Sequence, residues 1–146
     1  MILPGQVSQN IQPNNMIIIS KFSNDKLCFG LSSYEFHCKC NFDACRFTII
    51  NPRLLEVYEK FRERINMPLT INSGYRCQAH HFHNVYNDDV QTLTASRHPT
   101  GEAIDISIIN LLEKIELHAI IEAARHAGFT FIKHYEDEKF LHCDVR

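Results

Sequence analysis

Ser96-Arg97-His98-Pro99-Thr100-Gly101-Glu102-Ala103-Ile104-Asp105-Ile106 joins a turn to a strand. Pro99 and Gly101 punctuate the turn, and Gly101 lets the backbone fold back tightly. Ala103–Ile109 alternates and reads as a strand. Asp105 stands in its apolar part, where a carboxylate is costly unless it is paired or bound to a cation. His142 meets the same constraint in a second apolar strand, Phe140-Leu141-His142-Cys143-Asp144-Val145-Arg146. One cation held by His98, Asp105 and His142 would satisfy all three. Two imidazoles and a carboxylate suit Zn²⁺, and three protein ligands leave a position for water, as catalytic zinc requires.

The rest of the chain supplies the frame. Its 146 residues fit one domain with a real core. Apolar residues at 45% and charged residues at 22% exclude a disordered or fibrous chain. A net charge of −2 offers no electrostatic case for nucleic acid. The apolar runs Met16–Ile19 and Phe47–Ile50 are far too short to span a bilayer, so no membrane insertion is expected. Met1–Gln6 has neither a basic start nor an apolar stretch, and no secretory signal is expected.

Residues 1–20 read as an arm rich in Gln, Asn and Pro, although Met16–Phe22 has the composition of a strand. Residues 21–146 form the domain. Ser23–Arg46 looks irregular. Asn51-Pro52 starts a helix whose face is Leu54, Leu55, Tyr58, Phe61, Arg62 and Ile65, ending before Pro68. Leu69–Asn72 reads as a strand leading to Ser73-Gly74-Tyr75-Arg76. Residues 77–97 show no periodicity and read as a functional loop with Cys77, His80, His81, His83, Asn84, Asn87, Asp88 and Asp89. Leu111–Ala127 reads as one amphipathic helix presenting Leu112, Ile115, Ala119, Ile120, Ala123 and Ala124, stopped by Gly128. Phe129–Lys133 and Phe140–Val145 are strands flanking a turn at Tyr135–Lys139. Mixed strands and helices point to an α+β fold, a small antiparallel sheet packed against helices.

Three blocks resemble one family. Ser73-Gly74-Tyr75-Arg76, then Ser96-x-His98-x-x-Gly101-x-Ala103-x-Asp105-Ile106, then His142-x-Asp144 follow the order found in zinc D-alanyl-D-alanine carboxypeptidases and peptidoglycan endopeptidases. Tyr34–Cys40, the helix Leu54–Ile65 and Met67–Ile71 resemble the bacteriophage endolysin members, so the likeness covers about residues 20–146. The resemblance implies the hedgehog/DD-peptidase-like fold, with His98, Asp105 and His142 as ligands of one catalytic Zn²⁺. It implies that Arg76 grips a substrate carboxylate or carbonyl and that Ser96 helps hold the substrate. The implied activity is hydrolysis of D-amino-acid-containing peptide bonds in the peptidoglycan stem or cross-link. The implied setting is the cytoplasm of a bacterial host until release, with holin-assisted export, or a virion. A non-catalytic, zinc-retaining binding or virion structural domain of the same fold is the alternative.

Two departures concern the proton acceptor and the loop. Where many members carry an acid three residues before the last His, this chain has Lys139. Glu138 is the first candidate for the catalytic acid and base, and Glu136 the second, because strand alternation would put both on His142's face. Where relatives carry Asn five residues after the arginine, this chain has His81. His80, His81, His83, His118, His126 and His134 otherwise take surface or packing roles, His134 being the one whose turn would border the site. Cys38, Cys40 and Cys45 read first as ordinary reduced thiols. A second zinc site is the alternative, with Cys28, His37 or Cys77 as a fourth ligand. Cys143 reads as a packed free thiol.

Overall fold

The computed structural model describes residues 10–11, 16–85 and 96–146. Asn87, Asp88 and Asp89 of the expected loop, and most of residues 1–15, lie outside them. The elements are β1 (Asn10–Ile11), β2 (Ile17–Ser20), β3 (Lys26–Cys28), β4 (Leu31–Ser32), α1 (Ser33–Phe36), β5 (Phe47–Ile50), α2 (Pro52–Ile65), β6 (Thr70–Ser73), α3 (Gln78–Val85), a 3₁₀ turn (His98–Thr100), β7 (Ala103–Ser107), a second 3₁₀ turn (Leu111–Glu113), α4 (Leu117–Ala127), β8 (Phe131–Tyr135) and β9 (Phe140–Asp144). The fold is α+β. No described helix is long and apolar enough to cross a membrane.

Three antiparallel sheets run in the orders β1-β2-β5, β3-β4 and β6-β7-β9-β8. The four-stranded sheet matters most. On one face it buries Ile104, Ile106, Leu141 and Cys143 in a core shared with Leu54, Tyr58 and Phe61 of α2 and Ile120 and Ala124 of α4. Phe61 meets Phe129 edge to face at 6.0 Å. The other face carries the polar residues considered below.

Helix α2 follows its sequence signals. The Asn51 side chain accepts a hydrogen bond from the Arg53 amide at 2.9 Å, Pro52 occupies the first turn, and Asn66 ends the helix in the left-handed region at φ 54°. The strand at residues 17–20 pairs with β5 and buries Ile17 and Ile19, so this part of the expected arm is packed into the body.

Three expectations are corrected. Ser23–Arg46 is not irregular throughout: it holds β3, β4 and α1. Residues 78–85 are helical, closed by a bond from the His81 amide to the Cys77 carbonyl at 2.9 Å; the polar composition hid the helix because little of its surface is apolar. Leu111–Ala127 is not one helix. Glu116 is extended at ψ 145° and separates the 3₁₀ turn from α4. The buried residues are Leu111, Ile120, Ala124 and Ala127, whereas Leu112 and Ala119 are exposed. The five-residue step from Ile115 to Ile120 is the phase slip that marks the break.

Gly101 locks the turn before β7. Its φ is 73°, and an added Cβ would collide with the Ile49 carbonyl. The Asn51 amide donates to the Gly101 carbonyl at 3.0 Å, so β5 and the start of α2 are clamped against this turn. Gly101→Ala is expected to cost about 2 kcal/mol or more from left-handed strain plus displaced backbone. Urea unfolding of the full chain measures it.

Candidate metal centre and substrate cleft

Strand register assembles the centre. Asp105 of β7 lies directly opposite His142 of β9 and is paired on its other side with Ser73 of β6; Lys133 of β8 completes the row beyond His142. These residues face away from the apolar core because their neighbours Ile104, Ile106, Leu141 and Cys143 face into it. His98 comes from the 3₁₀ turn before β7 and is carried over the row by the reversal at Gly101. Residues far apart in the chain therefore meet through one sheet.

The ligand atoms converge. His98 Nε2 is 3.3 Å from Asp105 Oδ1, and His142 Nδ1 is 2.9 Å from the same oxygen. The two imidazoles sit edge to face with centroids 5.1 Å apart. A tetrahedral zinc ion with bonds of about 2.0–2.1 Å spaces its ligand atoms by about 3.3 Å. The three ligand atoms all lie within 4.8 Å of one another, so one ion could reach them together.

The outer nitrogens are held as a metal site needs. His98 Nδ1 donates to the Gly74 carbonyl at 2.6 Å, which fixes the tautomer with Nε2 free for a ligand. His142 Nε2 meets Asp144 Oδ2 at 3.0 Å, which turns Nδ1 inward. Asp144 is fully buried and is paired with Arg146 at 2.6 Å. A carboxylate–imidazole pair on one side and a carbonyl–imidazole pair on the other are thus in place for a metal. The donor set fits zinc.

Electrostatics point the same way. Burial alone would raise the Asp105 carboxyl, but hydrogen bonds from His142 and His98 overcome it and hold the group well below the usual carboxylate range. Asp144 is likewise burdened by burial, yet His142 and Arg146 bring it down to about 2. Burial would lower His142, and the two carboxylates beside it reverse that and raise it above 6.5. The site is built to keep positive charge between Asp105 and Asp144. A proton supplies that charge when no metal is bound, and a divalent ion would supply it better.

The centre opens into a cavity of about 420 Å³. Arg76 and Ser96, the two residues expected to hold substrate, both line it. The Arg76 side chain is only 14% exposed. One terminal nitrogen donates to Ser73 Oγ at 3.1 Å and lies 3.6 Å from Asp105 Oδ2, while its Nε has no partner among the described residues. Burial lowers its pKa, against the pull of Asp105. A buried guanidinium with unused donors is suited to an oxyanion. The Ser96 hydroxyl accepts from the His98 amide at 3.4 Å and so steadies the turn that carries a ligand.

Glu138 and Glu136 are not brought into this lining. Both are exposed on the turn between β8 and β9, where Lys139 adopts φ 53°. The alternation expected to carry them onto His142's face stops at the end of β8. His134 also points away, since Lys133 and Tyr135 on either side of it line the cavity. His81, expected to be a surface or packing residue, is 3% exposed and lines the cavity. Asp144 is the residue that the motif contained but whose role went unread; its position two residues after His142 on the same strand face was the signal.

With this geometry in hand, likeness to known proteins becomes informative. The family model for peptidase M15 matches residues 29–144. The chain belongs to the peptidase M15 family. No curated protein sequence matches it. A solved structure similar to this M15 chain is the Serratia marcescens L-Ala D-Glu endopeptidase ChiX, at 23% identity over 66% of this chain and 80% of that one, with a TM-score of 0.46. The M15 match spans all three motif blocks, from before α1 to Asp144, and places His98, Asp105 and His142 inside a peptidase domain.

Asp144→Asn is expected to weaken zinc binding by about 10–100-fold, as loss of a carboxylate behind a ligating imidazole does. Competition with a chromophoric chelator measures it. The pH dependence follows from His142. In the metal-free chain its imidazolium contributes stability that is fully present below 6.5 and is lost as pH rises through the raised value. Zinc competes with that proton, so zinc affinity should climb through the same range above 6.5. Melting curves with and without metal across that range check the sign.

Proposed function

We propose that this M15 peptidase is a zinc enzyme that hydrolyses D-amino-acid-containing peptide bonds in the stem or cross-link peptides of peptidoglycan, in phage-type wall lysis. The observation that carries the proposal is the convergence of His98 Nε2 and His142 Nδ1 on one oxygen of Asp105, beside a buried, half-paired Arg76 in an open cavity. The motif resemblance at Ser73–Arg76, Ser96–Ile106 and His142–Asp144 supports the substrate class.

A zinc ion on His98, Asp105 and His142 would acidify a water and polarise the scissile carbonyl. The remaining work belongs to the chain. Arg76 offers its unused guanidinium donors to a substrate carboxylate or carbonyl and fixes the peptide's register. Ser96 holds the turn bearing His98 and presents its hydroxyl to the substrate backbone. Gly74 and Asp144 keep both imidazoles in one tautomer throughout. The proton acceptor would be Glu138, with Glu136 second, and either would have to swing in from the exposed turn between β8 and β9 to reach the cleft. Delivery to the wall would come from a holin or from the virion.

The exposed placement of Glu136 and Glu138 favours one second reading, a zinc-retaining binding domain that does not turn over. Purified muropeptides digested by the wild type and analysed by mass spectrometry decide between them, since the fragments also identify the scissile bond. Glu138→Gln should lower kcat by about 10²-fold or more with zinc content unchanged, and Glu136→Gln by less. Full activity in both variants would reject the base assignment. Absence of any cleavage by zinc-loaded wild type would favour the binding domain.

A further inference from the structure

A second cluster of ligand atoms lies outside the cleft. The sulfurs of Cys38, Cys40, Cys45 and Cys77 all lie within 4.8 Å of one another. Three come from the loop between α1 and β5, and the fourth sits immediately before α3. Cys38 and Cys45 are buried. Cys40 Sγ and Cys77 Sγ are 3.7 Å apart, close to the separation of about 3.8 Å that a tetrahedral Zn–S₄ centre with 2.3 Å bonds imposes.

The surroundings direct hydrogen-bond donors at the sulfurs. The Cys77 amide donates to Cys38 Sγ at 3.4 Å, and the His80 amide donates to Cys77 Sγ at 3.4 Å. His80 Nδ1 lies 3.2 Å from Cys38 Sγ. Lys21 is 7% exposed, and its ammonium donates to the Cys40 carbonyl at 2.7 Å and to Cys40 Sγ at 3.4 Å. No carboxylate among the described residues forms an ion pair with it. A buried ammonium is costly without an anion. Four neutral thiols provide none, whereas four thiolates around a divalent ion leave a net negative centre that Lys21 offsets. A surface hollow lined by Lys21, Cys40 and Cys45 gives an ion a way in.

We propose that Cys38, Cys40, Cys45 and Cys77 hold a structural zinc ion, separate from the ion in the cleft. Binding releases the thiol protons to solvent and forms four Zn–S bonds with no redox change. The ion staples the loop after α1 to the segment Gly74–Cys77. That segment supplies the carbonyl holding His98 and the guanidinium of Arg76. It is already tied to α1 by the Tyr75 amide donating to the Phe36 carbonyl at 2.8 Å. The second ion therefore buttresses one wall of the cleft without touching substrate. Sequence spacing alone could not select Cys77 from Cys28 and His37; the fold does.

Metal analysis of the full chain, purified under reductant, tests the site. The wild type should carry two zinc ions per chain, and Asp105→Ala/His142→Ala should keep one. Cobalt-substituted Asp105→Ala/His142→Ala should show thiolate-to-cobalt charge-transfer absorption, lost in the same background on adding Cys45→Ser/Cys77→Ser. Because that variant can fail to fold, thiol labelling of the wild type provides a second measurement. All four cysteines should resist alkylation in the native chain and react once a chelator is added. Loss of all zinc from Asp105→Ala/His142→Ala, prompt alkylation of the four thiols without chelator, or a disulfide among them in reduced preparations would overturn the site. The assay makes no use of peptidase activity, so an inactive chain with one thiolate-bound zinc would count against the proposed function and not against this site.

Discussion

The Asp105 carboxylate is the constraint around which the chain is organised. It sits in the middle strand of an apolar run, 8% exposed, with both neighbours in sequence fully buried. Left alone it would be protonated or would force the sheet open. Two imidazoles and a guanidinium surround it instead, each brought by a different element. Those groups cannot all be protonated and close together without repulsion. A shared cation balances the arrangement, and the bonds to Gly74 and Asp144, by committing the outer imidazole nitrogens elsewhere, leave the inner nitrogens suited to a metal.

The sheet gives this centre its precision. Antiparallel register sets Asp105 against His142 and Ser73, so their separation is fixed by backbone hydrogen bonds rather than by loops. A slip of one residue would send His142 into the core and Cys143 into the cleft. The apolar face prevents it: Ile104, Ile106, Leu141 and Cys143 are all fully buried against α2 and α4. Helix packing thus holds the metal geometry indirectly, by denying the strands any other phase.

Legibility in the sequence followed the same division. His98, Asp105 and His142 could be read because strand periodicity and a glycine turn carry spacing into space with little freedom. Helix α2 could be read from Asn51, Pro52 and its apolar stripe. Helix α3 could not, because Gln78–Val85 is mostly polar and the amphipathic test has nothing to register. The break at Glu116 contains neither Gly nor Pro, and only the stride from Ile115 to Ile120 betrayed it. Alternation carries from His142 to Asp144, because β9 runs on to that residue, but not back to Glu138 and Glu136, because the strand begins only at Phe140.

The cleft's walls differ in kind, and that difference bears on the substrate. On one side stand Arg76 and Asp105, charged, buried and nearly immobilised by their partners. On the other, β8 contributes Phe131, Lys133 and Tyr135, with Arg146 over the Phe131 ring at 4.0 Å and Lys133 over the Tyr135 ring at 4.8 Å. Phe131 and Lys133 are exposed. A cationic, aromatic rim on an exposed strand is suited to anionic groups lying along β8. Among the described residues, then, one wall is fixed by ion pairs at the sheet's centre and the other is lined by exposed rings and cations, so recognition of negative charge is shared between Arg76 and the β8 rim.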